Sequence, residues 1–251
     1  MPISAKVAYL PDGPKARWLA TLRPFVRQAG NDRRPPWEIA ERRLLDYMLV
    51  YIHTGSGIFS LDANKYEVGP GSVFWVPPDT PHGMRGTSPE MNCLYIHFDL
   101  LYDPARSHWD AFVLGGTMEH GAWRDRLHPP LGDDEIDRWR GVLPLRNHTR
   151  MVYELMRDLC VEFHRDPYHY SVHATGLVWR ILTAIYDGLH DTTPVGSTAE
   201  RLRRAAAYLR EHSGGRAGNI GDVARRFGFS ESHFRSCFRR EIGSTPYEYW
   251  L

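Results

Sequence analysis

Arginine and serine residues recur at three- and four-residue spacing in the segment SESHFRSCFRREIGSTPYEYWL, from Ser230 to Leu251. An arginine side chain can donate two hydrogen bonds to the O6 and N7 atoms of guanine in the major groove of DNA. If the segment is helical, this spacing places four of its residues on one face: Ser232, Arg235, Ser236 and Arg239. We therefore expect this face to contact base edges, with Arg235 as its main reader.

Other basic residues flank that face and suit contacts to phosphate, which position a protein on DNA without reading its sequence. They are Arg225, Arg226, His233 and Arg240. From Glu200 to Leu251 there are 10 basic and 6 acidic residues, against 21 and 24 in the rest of the chain. This segment is therefore net positive and the remainder net negative, which favours a polyanionic partner for the segment.

Two short helices joined by a glycine-containing turn would position these residues. A first helix is predicted from about Ile220 to Phe227, and Phe234, Cys237 and Phe238 form the apolar face of a second. Ser230, in the turn between them, is expected to be the N-cap of the second helix, with its hydroxyl accepting a backbone N–H, and to be a DNA contact. This is the pattern of a helix-turn-helix, whose second helix enters the major groove.

Positions 202 to 251 resemble the first helix-turn-helix of the AraC/XylS family of bacterial transcription regulators. YLREHSG and the pattern I-x-x-V-A-x-x-F-G-F-S-x-S-x-F-x-x-x-F-R-R-x-x-G-x-T-P-x-x-Y carry this resemblance. The family's DNA-binding domain has two such units joined by a long helix, which would begin here at about Pro246. The resemblance implies that the second unit is missing, so we expect a truncated all-α domain with impaired DNA binding.

Short β-like runs separated by turn residues fill the sequence from Leu44 to about Asp99. LLDYMLVYIH, GIFSL, KYEV, SVFWV and NCLYIHFDL are the runs, and their spacing predicts an antiparallel sandwich or small barrel. In the last run, Cys93, Tyr95, His97 and Asp99 alternate with Asn92, Leu94, Ile96 and Phe98. The first set mixes aromatic and polar groups, which indicates a binding pocket on that side of the strand.

The stretch LVYIHTGSGIFSLDANKYEVGPGSVFWVPPDTPH resembles the cupin-like, effector-binding barrel that precedes the DNA-binding domain in such regulators. The resemblance implies that an effector binds inside the barrel, against an arginine before the first strand, the turn after Pro77–Pro78, and the last strand. The residues at those positions are Arg42 or Arg43, His82 or Met84, Cys93, Tyr95 and His97. We add Trp75, and the combination of aromatic and hydrogen-bonding groups suits a sugar or other small polyol.

A metal-dependent cupin enzyme, an isomerase or oxygenase, is the main alternative. The metal site of such enzymes needs a His-x-His pair with a downstream Glu on one strand and another His on a later strand. His82 stands at the later position, but Arg42, Arg43 and Leu49 stand where the other ligands should be. His53 and His97 could join His82 in an unrelated site. We expect no catalytic residues, no metal and no cofactor.

Apolar residues recur at helical spacing from Thr149 until Pro167, and again from about Tyr170 to Leu189. The following HDTTPVGST has no periodicity and is typical of a linker. The predicted domains are a barrel, a dimerising helix pair, a linker and the DNA-binding segment, at residues 1–147, 148–190, 191–199 and 200–251. The predicted fold class is α+β.

The composition is that of an ordinary globular protein, with 42% hydrophobic and 24% charged residues. Its apolar runs fall short of the roughly 20 residues that cross a bilayer, and three widely spaced cysteines do not form a disulfide framework. We expect a cytoplasmic, homodimeric transcription regulator that does not contact membranes. Its expected partners are promoter DNA and a small-molecule effector.

Overall fold

The computed structural model describes residues 21–108, 120–132, 135–165, 170–191, 197–212 and 219–250. The chain separates into two compact units, Met1–His190 and Asp191–Leu251. Antiparallel sheets and then helices form the first unit, and the described part of the second is helical, which confirms the predicted α+β class. Residues 192–196 of the predicted linker lie outside the described residues, and Thr198 already begins a helix.

Two sheets form the β part of the first unit. Its described strands, in chain order, are β1 (Phe25–Arg34), β2 (Trp37–Arg42), β3 (Tyr47–Thr54), β4 (Gly57–Leu61), β5 (Asn64–Val68), β6 (Val73–Val76), β7 (His82–Gly86), β8 (Met91–Asp99) and β9 (Gly141–Val142). The orders of the sheets are β1-β8-β3-β6-β9 and β2-β7-β4-β5. All these neighbours pair antiparallel, as predicted.

The five-stranded sheet separates two apolar cores because side chains alternate between its faces. Met48, Val50 and Ile52 of β3 lie in the core between the sheets, which we call the barrel interior. Phe59 of one sheet and Phe74 of the other meet there with ring centroids 5.2 Å apart. The barrel interior is thus lined by large apolar side chains from both sheets.

Two helices cover the other face of the five-stranded sheet, α1 (Thr149–Arg165) and α2 (Tyr170–His190). Their buried residues, including Val152, Leu159 and Ile181, pack in one core with Leu49 and Trp75 of the sheet. Short 3₁₀ helices at His120–Arg126, Ile136–Arg138 and Arg146–His148 occur between β8 and α1. None of the described helices has the length and apolar character needed to cross a membrane.

The second unit has a core of its own. Its described helices are α3 (Thr198–Glu211), α4 (Ile220–Arg226), α5 (Glu231–Ile242) and α6 (Pro246–Trp250). The core contains Leu202 and Leu209 of α3, Val223 of α4, and Phe234 and Phe238 of α5. The apolar face predicted for α5, formed by Phe234, Cys237 and Phe238, is therefore the face that is buried.

The sequence pattern does not predict β1 and β2. Their segment, FVRQAGNDRRPPWEIAER, is rich in charged residues and contains Pro35–Pro36, and it lacks a clean apolar alternation. β1 and β2 are the first strands in the order of their sheets, so one side of each is not paired within its own sheet. Strands at such edges tolerate charge and proline better than central strands do.

Candidate ligand site and nucleic-acid interface

His82 presents a hydrogen-bond acceptor inside the protein. Its side chain is fully buried at the start of β7. Nδ1 donates to the carbonyl of Thr80 over 3.0 Å, and Nε2 has no hydrogen-bond partner. Burial lowers the pKa of His82 to about 4, and the nearby Arg42 also disfavours its charged form. The imidazole is therefore neutral near pH 7, with the lone pair of Nε2 available to a ligand.

Three further side chains interact electrostatically with His82 and form with it a group that we call the polar end of the barrel: Arg42, Asp46, His82 and His97. Arg42 stands opposite His82 in the β2–β7 pairing, after a register shift that follows Ile39. His97 is buried on β8, and its Nδ1 lies 3.4 Å from Oδ1 of the fully buried Asp46. Burial lowers the pKa of Arg42, and Asp46 partly reverses this effect.

Two more predicted ligand contacts, Met84 and Cys93, lie in the apolar part of the barrel interior. Burial raises the pKa of the Cys93 thiol to about 11, so this side chain is a neutral, protonated thiol at physiological pH. The structure therefore brings Arg42, His82, Met84, Cys93 and His97 to one side of the sheets. A ligand there would meet polar groups at one end and apolar groups beside them.

Trp75 and Arg43 are not part of this group. Trp75 lies in the core between sheet and helices, with its ring centroid 5.4 Å from that of Tyr47 and 5.3 Å from that of Trp139. It faces away from the barrel interior because its neighbours on β6, Phe74 and Val76, point inward. Arg43 is exposed, and its Nη1 lies 3.0 Å from Oδ1 of Asp79. Trp75 and Arg43 therefore lie apart from the other predicted ligand contacts.

Tyr95 lines an open groove of about 490 Å³ between β1 and α1. Gly30 stands opposite Tyr95 in the β1–β8 pairing, and a Cβ on Gly30 would lie 2.5 Å from the Tyr95 hydroxyl. Only glycine leaves room for the ring to cross β1 at this point. Burial raises the pKa of Tyr95, and Asp32 adds to this effect. Tyr95 thus borders both the barrel interior and the groove.

A buried group of charges adjoins the polar end, and the sequence motifs do not point to two of its members, Arg27 and Asp46. Arg27 occupies a bulge of β1 and donates two hydrogen bonds of 2.8 Å to Asp99. It also donates to Asp46 over 3.1 Å, so Asp46 joins Arg27 to His97. Burial alone would raise the pKa of Asp99, but Arg27 and Ser107 hold it below its usual value. Asp46 interrupts the apolar run LLDYMLV, which is the signal that could have identified it.

Of the three histidines predicted as alternative metal ligands, His53 lies apart from His82 and His97. Among the described residues, no group of three or more His, Cys, Asp or Glu side chains is arranged to hold a metal ion. His53 is exposed and stacks on Tyr153 with ring centroids 4.6 Å apart. His97 instead faces Asp46.

The turn between α4 and α5 has the geometry of a helix-turn-helix. Gly228 has a φ of 74°, and the backbone N–H groups of Gly228 and Phe229 bond to the carbonyls of Arg225 and Ala224, each over 2.9 Å. These two bonds close α4 in a Schellman motif, in which glycine supplies the left-handed residue. Three residues, 228–230, separate Phe227, the C-cap of α4, from Glu231, the first residue of α5.

Ser230 is at the predicted N-cap position of α5, but its side chain does not make the predicted capping bond. Its backbone is extended, as at other N-caps, and its carbonyl accepts the N–H of Phe234 over 2.8 Å. The first turn of α5 instead has an acidic side chain, Glu231, which suits the positive end of the helix dipole. The hydroxyl of Ser230 is exposed and remains a candidate DNA contact.

The faces of α5 are as the sequence predicts. Phe234, Cys237 and Phe238 are buried, whereas the proposed DNA contacts are exposed: Ser230, Ser232, His233, Arg235, Ser236, Arg239 and Arg240. Arg235 is held by Glu231, whose Oε1 accepts from its Nη2 over 2.7 Å and from its Nε over 3.0 Å. The main predicted reader therefore lies along its own helix in the absence of DNA.

The flanking basic residues of α4 also have partners. Arg225 forms an ion pair with Asp222, and the guanidinium of Arg226 lies 4.5 Å from the ring centroid of Tyr208. Both side chains are exposed and sit in the last turn of α4. They can reach phosphate only if these contacts rearrange or are shared.

Comparisons with known proteins match both units. Residues 27–102 match the AraC-like ligand binding domain, and residues 218–249 match the bacterial regulatory helix-turn-helix proteins of the AraC family. These matches confirm the two resemblances carried by the sequence motifs. No curated protein matches the chain.

Solved structures similar to part of the chain include a cupin superfamily protein from Desulfitobacterium hafniense. It is 20% identical, with a TM-score of 0.27, and the match covers 31% of this chain and 69% of that one. A predicted oxalate decarboxylase from Thermotoga maritima is 19% identical, with a TM-score of 0.27 and coverage of 30% and 68%. A salicylate 1,2-dioxygenase from Pseudaminobacter salicylatoxidans is 18% identical, with a TM-score of 0.27 and coverage of 29% and 21%.

Proposed function

This chain joins an AraC-like ligand-binding domain to an AraC-family helix-turn-helix, the domain pair of a ligand-regulated DNA-binding regulator, and from that premise we propose that its effector is a sugar or other small polyol. The effector binds at the polar end of the barrel. The bound protein acts in the cytoplasm, on promoter DNA, as a homodimer. It needs no metal and catalyses no reaction.

The observation that carries the effector proposal is the buried, unpartnered Nε2 of His82. A buried polar atom without a hydrogen bond costs free energy, on the order of 1–3 kcal/mol, which a ligand recovers by donating to it. A hydroxyl group can donate to Nε2 and accept from the guanidinium of Arg42 at the same time. Asp46 and His97 offer further positions for neighbouring hydroxyl groups, and this multiplicity favours a polyol.

The first experiment is a thermal-shift screen of the full chain with a panel of monosaccharides and polyols. A ligand that binds only the native state raises the unfolding temperature, and calorimetry then gives its affinity. His82→Ala should weaken binding of the active compound about tenfold or more, because its hydroxyl loses its acceptor. Arg43→Gln, on the exposed neighbour of Arg42, is the matched control and should bind as the wild type does.

Tyr95→Phe distinguishes the barrel interior from the groove between β1 and α1. If the effector occupies the polar end, this variant keeps most of the affinity, since only a hydroxyl outside that group is removed. A large loss in Tyr95→Phe with none in His82→Ala would place the effector in the groove instead. Binding of no sugar or polyol at all would contradict the proposed effector class.

The DNA-binding half of the proposal assigns α5 to the major groove. Ser230, Ser232, Arg235, Ser236 and Arg239 face the bases, while His233, Arg240, Arg225 and Arg226 contact phosphate. Its support is the combination of an exposed polar face on α5 with a Schellman-closed turn before it. A gel-shift titration at increasing salt concentration measures the number of phosphate contacts. Each contact releases counterions from the DNA, so affinity falls more steeply with salt when there are more contacts.

The proposed dimer forms through α1 and α2. Three large apolar residues of these helices are well exposed, Met151 at 48%, Val161 at 56% and Val172 at 75%. Exposed apolar side chains on one helix pair favour an interaction surface. Analytical ultracentrifugation of wild-type protein and of Val161→Asp should give a dimer and a monomer, respectively; two dimers would contradict this assignment.

As a mechanism, effector binding favours one arrangement of the dimer over another and so changes which DNA sites the helix-turn-helix units can occupy together. A ligand shifts such an equilibrium only by its difference in affinity for the two states. Footprinting on promoter DNA with and without the active compound tests this. An identical footprint at every effector concentration that saturates the barrel would contradict it.

A further inference from the structure

Arg201, in the first turn of α3, contacts three consecutive residues of the helix-turn-helix turn. Its Nε donates to the carbonyl of Phe227 over 2.8 Å, and its Nη2 donates to the carbonyl of Gly228. Its guanidinium also lies over the ring of Phe229, 4.0 Å from the centroid. One side chain of a third helix thus holds the whole connection between α4 and α5.

The backbone explains why these carbonyls need an outside donor. The Schellman bonds at the end of α4 use the N–H groups of Gly228 and Phe229 and the carbonyls of Arg225 and Ala224. The carbonyls of Phe227 and Gly228 lie beyond the last bond that such a motif provides. A planar guanidinium has two donors side by side and a flat face, so it can bond both carbonyls while stacking on Phe229.

Gly228 is required for this approach as well as for its backbone conformation. A Cβ at Gly228 would lie 2.6 Å from Nη2 of Arg201. Arg201 is itself fixed at the start of α3, where its N–H bonds to the carbonyl of Ser197 over 3.0 Å. The charged guanidinium of Arg201 therefore contacts the turn, whose residues come just before the exposed face of α5 in the chain.

We propose that Arg201 is a positioning residue for DNA reading, which sets the direction of α5 by holding the turn before it. The inference rests on the proposed DNA-binding function. A base contact depends on the distance and angle of its hydrogen bonds, whereas attraction to phosphate depends mainly on net charge. Loss of Arg201 should therefore weaken sequence discrimination more than it weakens general affinity for DNA.

The test compares the full chain with Arg201→Gln and Arg201→Lys. The probes are a duplex that the wild-type protein selects from a randomised library and a scrambled duplex of the same length. Both variants should bind the selected duplex about tenfold more weakly, the scale of a lost base contact, and the scrambled duplex within about threefold. Arg204→Gln, at an exposed position of the same helix, is the charge control and should weaken binding to both duplexes alike.

The lysine variant separates geometry from charge. A lysine keeps the positive charge near the end of α4 but cannot bond both carbonyls in one plane, so it should fail to restore discrimination. Full restoration by lysine, or an unchanged ratio of the two affinities in Arg201→Gln, would overturn the proposal. Circular dichroism at the assay temperature verifies that the variants are folded, and Phe229→Leu, which keeps both carbonyl bonds, should lose discrimination only in part.

The same experiment distinguishes failure of the proposed function. A wild-type protein that selects no sequence would contradict DNA reading itself, and with it the role of Arg201. A wild-type protein that selects a sequence, with Arg201 variants that select it equally well, would contradict the role of Arg201 alone.

Discussion

At the scale of single residues, the ion pair between Arg235 and Glu231 determines how the proposed reading face behaves. The pair spans one helical turn at an exposed position, where such pairs contribute only about 0.3–0.5 kcal/mol to stability. Breaking it is therefore easy compared with the gain from a two-bond contact to guanine, about 1–3 kcal/mol. Glu231 can hold Arg235 in place without preventing it from reading DNA.

We predict that Arg235→Ala lowers affinity for the selected duplex by about 1–3 kcal/mol and relaxes the preference at one base pair. Binding to scrambled DNA should fall much less. Arg240→Ala is the control, since a phosphate contact contributes equally to both duplexes and its loss should leave their ratio unchanged. Selection from a randomised library by each variant measures the preference at every position. An unaltered selected sequence for Arg235→Ala would remove it from the base-reading face.

The residues of the barrel show what sequence can predict about a site. The alternation of β8 correctly places Cys93 and His97 inside, because this strand has a distinct polar set. The sequence offers no such alternation for Trp75, because VFWV is apolar throughout and β6 is buried on both faces. It also cannot choose between Arg42 and Arg43, because the register shift that orients Arg42 arises from pairing with β7.

At the scale of elements, three helix N-termini in the second unit offer a direct comparison of caps. Ser197 accepts the N–H of Glu200 over 3.1 Å, and Asn219 accepts the N–H of Asp222 over 2.9 Å. Ser230 makes no such bond. Sequence alone treats all three as good caps, because the residue types are equally favourable and only the rotamer differs.

We predict that Ser197→Ala and Asn219→Ala each lower the free energy of unfolding of the second unit by about 1 kcal/mol, whereas Ser230→Ala changes it by a few tenths at most. Urea denaturation of the full chain, followed by a signal from the helical unit, measures these differences. Exchange of the backbone amide hydrogens of α3, α4 and α5 supplies this signal, because the chain contains eight tryptophans and their fluorescence does not isolate the helical unit. Equal losses of unfolding free energy in Ser197→Ala, Asn219→Ala and Ser230→Ala would contradict the distinction between residues that make a capping bond and one that does not.

The edge of the five-stranded sheet was beyond sequence-based prediction for a related reason. β1 tolerates charged residues because one of its sides is not paired within the sheet. The bulge at Arg27 accompanies a buried ion pair with Asp99, which lies 72 positions away in the sequence. Local patterns cannot reveal partners at that separation. The helices, whose apolar spacing is local, are predicted closely by comparison.

At the scale of the whole molecule, two buried neutral histidines make stability depend on pH. Burial lowers the pKa of both His82 and His128 from 6.5 to about 4. The contacts of His128 favour its neutral form, because its Nε2 accepts the N–H groups of Leu100 and Leu101, each over 3.0 Å. Between pH 6.5 and 4 the unfolded chain takes up protons at these positions and the native protein does not.

We therefore predict that stability of the first unit is fully present above about pH 6.5 and falls as the pH decreases towards 4, by about 3 kcal/mol for each histidine. Urea denaturation across this range measures the slope. His128→Gln should remove about half of the dependence, although it also lowers stability at pH 7. His53→Gln, at an exposed position, should leave the slope unchanged. A slope that is as steep in His128→Gln as in the wild type would contradict the assignment.

The sheet that separates the two cores of the first unit also determines the distance between the barrel interior and the helices α1 and α2. His97 and Cys93 face the polar end and the barrel interior, and Ile96 and Leu94, their neighbours on β8, face α1 and α2. A ligand that shifts the backbone of β8 therefore moves residues of both cores in a single displacement. One layer of protein, about 10 Å thick, lies between the proposed effector site and the helices proposed to form the dimer, so a single displacement can span it without a relay of side-chain movements.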